Sequence, residues 1–180
     1  IPGYWGHIAI WLGTEEQLRT AGLWNDLSAD LKERIKSGHY VLEALRPGVQ
    51  VNKLVNFLNI DDLAVMRPNF IKSTAEAAYY LNRAQKQVGK EYDFSFDIET
   101  DKKIVCSELA YVVFDDPEFN WAVGKSVGRY TISPDNVAEK GFAKAIKNTE
   151  FSFTPIVLYR DGLEVAASDN LIYQFEKLIK

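Results

Sequence analysis

The feature that most constrains this chain is a change of period along its first fifty residues. His7-Ile8-Ala9-Ile10-Trp11-Leu12, closed by Gly13, alternates as a strand with apolar residues on both faces, and His39-Tyr40-Val41-Leu42-Glu43-Ala44-Leu45 reads as another. Between them the pattern turns polar and helical, with Leu27, Leu31 and Ile35 spaced four apart and Gly38 after the last turn. Two strands of one sheet are thus separated by a helical excursion over residues 14–37. The second strand meets Arg46-Pro47-Gly48, a turn into Val49-Gln50-Val51, and a hairpin is the simplest connection.

Further along, Leu63-Ala64-Val65-Met66 reads as a short buried strand that Pro68 ends. Ser73-Thr74-Ala75-Glu76 is a capping box opening a helix with Ala77, Leu81, Ala84 and Val88 on one face, which Gly89 stops. After a polar loop over residues 90–103, a second helix starts near Cys106, since Leu109, Val112 and Val113 keep helical spacing until Asp115-Asp116-Pro117. Ser133-Pro134-Asp135-Asn136 is another helix start, and Ile156-Val157-Leu158-Tyr159 before Asp161-Gly162 is a late strand with a hairpin-type turn. A final helix is expected from about residue 167, carrying Leu171, Phe175 and Leu178. Strands first, helices in the middle and a returning strand predict an α+β fold, an antiparallel sheet packed against helices, in one domain over residues 1–180. A chain of 180 residues, 47% of them apolar, can bury such a core.

The net charge is −4, with no run of Lys or Arg longer than a pair, so the chain lacks the basic footprint of a nucleic-acid binder. No apolar run approaches the roughly 20 residues that span a bilayer, so no transmembrane segment is expected. The chain opens just ahead of an apolar run without a starting Met, which suggests a removed leader or first structural element; the location is left unknown, with the cell envelope or secretion favoured. A single Cys excludes an intramolecular disulfide and any multi-Cys metal site, leaving that thiol either buried and inert or placed for chemistry.

A thiol becomes a useful nucleophile at a helix N-terminus or beside a histidine, and Cys106 is expected at such a terminus. Tyr92-Asp93-Phe94-Ser95-Phe96-Asp97, just upstream, mixes aromatics with polar groups in the manner of a site wall. Two histidines are available as a base, His7 and His39; each follows a glycine and opens a strand, so local pattern does not separate them. Glu43, an acid inside an otherwise apolar strand, is the candidate for orienting the base, unless it faces solvent from an edge. Zinc spacings, a phosphate-binding glycine loop and a Gly-x-Ser-x-Gly elbow are all missing. The acids Asp93, Asp97, Glu99 and Asp101 lack the glycine and terminal Glu of a calcium loop.

Two segments, Gly6-His7-Ile8-Ala9-Ile10-Trp11-Leu12-Gly13 and Gly89-Lys90-Glu91-Tyr92-Asp93-Phe94-Ser95-Phe96-Asp97 leading to Val105-Cys106-Ser107-Glu108-Leu109-Ala110-Tyr111, resemble the YiiX/YaeF-like (YebB-like) group of circularly permuted NlpC/P60 proteins. The permutation is visible as His before Cys. The resemblance implies a papain-like fold with Cys106 as nucleophile, His7 as base, Glu43 as the residue orienting it, and Tyr92 near the substrate or oxyanion; His39 then drops out. Two departures are the long excursion over 14–37 and the missing strand ahead of His7. The implied function is a thiol hydrolase working by acyl transfer without metal or organic cofactor, most readily on an amide in a small peptide or peptidoglycan fragment. A lipid ester or amide hydrolase or acyltransferase is the alternative, and a non-catalytic binding module the contrasting class. The four tryptophans Trp5, Trp11, Trp24 and Trp121 fit either a groove for an acyl chain or ordinary core.

Overall fold

The hairpin around Arg46-Pro47-Gly48 is the centre of the main sheet in the computed structural model, which describes residues 3–93, 103–126, 129–141, 152–161 and 163–164. Strand β2 (His39–Leu45) pairs antiparallel with β1 (Ala9–Trp11) on one side and β3 (Gly48–Lys53) on the other. β3 meets β5 (Glu91–Tyr92), which pairs in parallel with β6 (Lys103–Ile104) at the far edge. The sheet is therefore antiparallel except at that edge. Gly48 is obligatory here: a Cβ would lie 2.2 Å from the Lys90 carbonyl oxygen, which accepts from Val49 N–H at 2.8 Å. This close approach, with Tyr92 N–H donating to the Pro47 carbonyl at 3.1 Å, brings Tyr92 alongside the hairpin.

The excursion between β1 and β2 folds as α1 (Glu15–Thr20), a 3-10 turn (Trp24–Asp26) and α2 (Ala29–Lys36). Thr14 and Ser28 cap the two helices, and Leu18, Trp24, Leu27, Leu31 and Ile35 join the hydrophobic core. The excursion is thus built into the body of the protein by its apolar stripe. After the short α3 (Leu54–Phe57), β4 (Leu63–Pro68) leaves the main sheet and pairs with β9 (Phe153–Arg160), which also pairs with β10 (Leu163–Glu164). A small ribbon joins β7 (Gly124–Ser126) to β8 (Arg129–Thr131).

Three helices lie between the strand groups. α4 (Thr74–Gln85) opens on the expected reciprocal capping box of Ser73 and Glu76. α5 (Cys106–Val113) buries nearly its whole length, and packs against β1, β2, α4 and α6 (Pro134–Ala138). α6 is capped by Ser133 with Pro134 at its first position, as the sequence indicates. Phe70, Phe114, Phe119 and Phe153 form an edge-to-face aromatic cluster beside α5. The helix expected after residue 167 lies outside the described residues. No helix among the described residues is long and apolar enough to cross a membrane.

Candidate active site

Cys106 is the first residue of α5 and is buried, and no side chain caps the helix start at Val105. The Glu108 carboxylate reaches back to accept from Val105 N–H at 2.9 Å, and Ser107 donates its hydroxyl to the Ile132 carbonyl at 2.7 Å. Both bonds are buried and fix the first turn. The backbone N–H groups of that turn have no partners within the helix, and their partial positive charge favours negative charge developing nearby.

β1 is shorter than the alternation from His7 indicates, and begins only at Ala9, so His7 stands on the extended segment just ahead of it. Ala9 lies opposite Glu43 in the β1–β2 register, and alternation puts His7 on the same face as Ala9. Over this small residue the His7 ring reaches Glu43, Nε2 to Oε2 at 2.9 Å. Glu43 does not face solvent; it is 4% exposed, and its other oxygen accepts from Asn52 Nδ2 at 2.8 Å. A row of three polar side chains thus runs from the segment ahead of β1 across β2 and β3. Asn52 was not among the residues singled out from sequence. The signal was available, because residue 52 shares a face with Gln50, the register partner of Glu43, but the strand was read as ending at Val51.

Burial works against a charged imidazole at His7, but hydrogen bonds to Cys106 and Glu43 and the attraction of both outweigh it, and the pKa is pushed up to about 9. Burial likewise raises the Glu43 carboxyl, and the hydrogen bonds from His7 and Asn52 overcome it, holding the group below its usual value. With Nε2 engaged by Glu43, Nδ1 is the ring nitrogen left for the thiol. The arrangement can keep a proton on the ring while a neighbouring sulfur carries negative charge.

Tyr92 comes to the same place. Its phenol pKa is raised by burial first and then by the nearby charge of Cys106. His39 does not: its Nδ1 lies 2.9 Å from Ser37 Oγ in an exposed pair at the start of β2. The tryptophans divide. Trp24 is core and Trp121 stacks on Phe119 at 4.3 Å, whereas Trp5 and Trp11 line an apolar cavity of about 670 Å³. His7 lines that cavity together with residues of β1, β4, α4, α5 and α6, and the α5 residues Ala110 and Val113 lie on the same helix face as Cys106. Leu58 and Ile60, both partly exposed, form part of its rim. Among the described residues no cluster of His, Cys, Asp and Glu could hold a metal ion. Of the loop from Tyr92 to Asp97, and of the acids weighed as a calcium loop, only Tyr92 and Asp93 fall within the described residues.

The chain thus carries a buried thiol at a helix N-terminus and, earlier in the sequence, a histidine hydrogen-bonded to a buried carboxylate. A family model described as permuted papain-like amidase enzyme, YaeF/YiiX, C92 family, matches residues 1–172, and the chain belongs to that family. No curated protein and no solved structure is significantly similar to it.

Proposed function

We propose that the protein hydrolyses an amide by acyl transfer through Cys106, His7 and Glu43. The observation that supports this reading is the His7 ring hydrogen-bonded to the buried Glu43, with its pKa pushed up to about 9 in part by Cys106. The sulfur of Cys106 attacks the carbonyl carbon, and the oxyanion is met by first-turn N–H groups of α5 with help from Tyr92. His7 gives its proton to the leaving nitrogen as the C–N bond breaks. It then takes a proton from water as the water oxygen attacks the thioester, and the C–S bond breaks to return the acid and the Cys106 thiolate beside the protonated ring. Glu43 stays ionised throughout and holds the ring by Nε2, while Asn52 holds Glu43.

The acyl group is that of a small peptide or cell-wall fragment on the sequence argument. The cavity beside His7 favours the second reading, an apolar acyl chain in a lipid amide or ester. Its walls are side chains such as Ile8, Leu12, Leu63 and Phe114, which offer a peptide few polar partners. A panel of N-acyl amides of rising chain length and muramyl-type peptides, scored for release of the amine by mass spectrometry, separates the two. Rates that climb with chain length and fall on Ala64→Phe, which puts a phenyl ring at the cavity wall, support the lipid reading; cleavage of the peptides alone, indifferent to Ala64→Phe, supports the first. Turnover unaffected by Cys106→Ala overturns both.

A further inference from the structure

We propose that Asp135 is a positioning residue, and that residues 132–135 form a clamp setting the separation of Cys106 and His7. The inference rests on the catalytic reading above, since it concerns the same pair. One end of the segment holds the nucleophile's helix: the Ile132 carbonyl takes the hydroxyl of Ser107, next to Cys106, at 2.7 Å, with both residues fully buried. At the other end, Asp135 Oδ1 accepts from the backbone N–H of Tyr4 at 3.2 Å and of Trp5 at 3.1 Å.

Those two amides lie immediately before Gly6 and His7. His7 is thereby bracketed, by the ladder that pairs Ala9 with Glu43 on its C-terminal side and by Asp135 on its N-terminal side. A Cβ at Gly6 would meet nothing within 4 Å, so packing at this residue does not fix the strap. The carboxylate lies hard against the strap: a Cβ on Gly3 would fall 1.7 Å from Asp135 Oδ2. Asp135 is itself held, because Ser133 and Asn136 cap α6 reciprocally and Pro134 sets its first turn. A charged acceptor shared by two consecutive backbone donors is a strong tether, and displacement of a reacting group by even about 1 Å is enough to slow chemistry about 100-fold.

The test compares wild type, Asp135→Ala, Asp135→Asn and, as a control for lost stability, Ser73→Ala. The readouts are iodoacetamide labelling of Cys106 at about pH 6 and the NMR titration of His7. Asp135→Ala slows labelling by roughly 10-fold or more and lowers the His7 midpoint, whereas Asp135→Asn, which keeps a carbonyl oxygen in place, restores both to near wild type. Ser73→Ala moves neither. Labelling and titration unchanged in Asp135→Ala overturn the clamp, as does a failure of Asn to rescue. Should wild-type Cys106 react no faster than a free thiol, the catalytic reading fails separately, and the His7 titration alone still decides whether Asp135 positions the ring.

Discussion

Replacing Glu43 by Gln keeps the shape and one carbonyl oxygen but removes the charge 2.9 Å from His7 Nε2. The rise of the His7 pKa from 6.5 to about 9 corresponds to about 3 kcal/mol in favour of the imidazolium. The side chain is 31% exposed, and solvent screening at that exposure trims the figure to about 2 kcal/mol. Cys106 and Glu43 share the effect, so loss of one charge takes away roughly half and brings the His7 midpoint to roughly 7.5–8. Proton NMR can read this directly, because the chain has two histidines and His39→Ala identifies the other signal. Amide hydrolysis falls in parallel, by up to about 10⁴-fold, the loss seen when the acid behind a triad histidine becomes an amide. A midpoint that stays near 9 in Glu43→Gln, with wild-type turnover, would refute the assignment of Glu43 as the group that holds the base.

The same titration governs stability. The folded state binds the His7 proton more tightly than the unfolded chain, so its contribution is complete below about pH 6.5 and is lost as the pH rises through about 9. Urea unfolding shows wild type losing up to about 2 kcal/mol across that window relative to His7→Gln; parallel curves would contradict it. Leu31→Ala in α2, where the side chain is 2% exposed, costs about 2–5 kcal/mol, measured by the same unfolding. A cost below about 1 kcal/mol would mean that the excursion over residues 14–37 is not part of the core. Ser73→Ala removes the cap of α4 and costs about 1 kcal/mol, seen as a lowered Tm with unchanged labelling of Cys106.

Local chemistry made parts of this fold readable. The Arg46-Pro47-Gly48 turn, the Ser73–Glu76 capping box and the helix starts at Cys106 and Ser133 each lie within a few residues and are as expected. Pairing over long separations was not readable. Nothing in Leu63-Ala64-Val65-Met66 says that it leaves the first sheet and joins Val157 and Leu158, more than ninety residues on. The site divides in the same way. Cys106 and Glu43 stand out as a thiol at a helix start and an acid within an apolar strand. The choice between His7 and His39, two residues alike in local pattern, came from resemblance, and the geometry separates them: one ring reaches Glu43, the other a surface serine. Asn52 and Asp135 were missed as site residues because each acts through a partner distant in sequence, and an amide in a strand or an acid in a helix cap is fully accounted for locally.

The measurement that bears most directly on the central claim is the pH dependence of Cys106 alkylation by iodoacetamide in wild type, His7→Ala and His39→Ala. The account predicts rapid labelling at about pH 6, where an ordinary thiol with a pKa near 8.5 is almost wholly protonated, retained in His39→Ala and abolished in His7→Ala. Slow labelling that rises only through the ordinary thiol range, and is indifferent to either histidine, would contradict the thiolate–imidazolium pair on which the proposed chemistry depends.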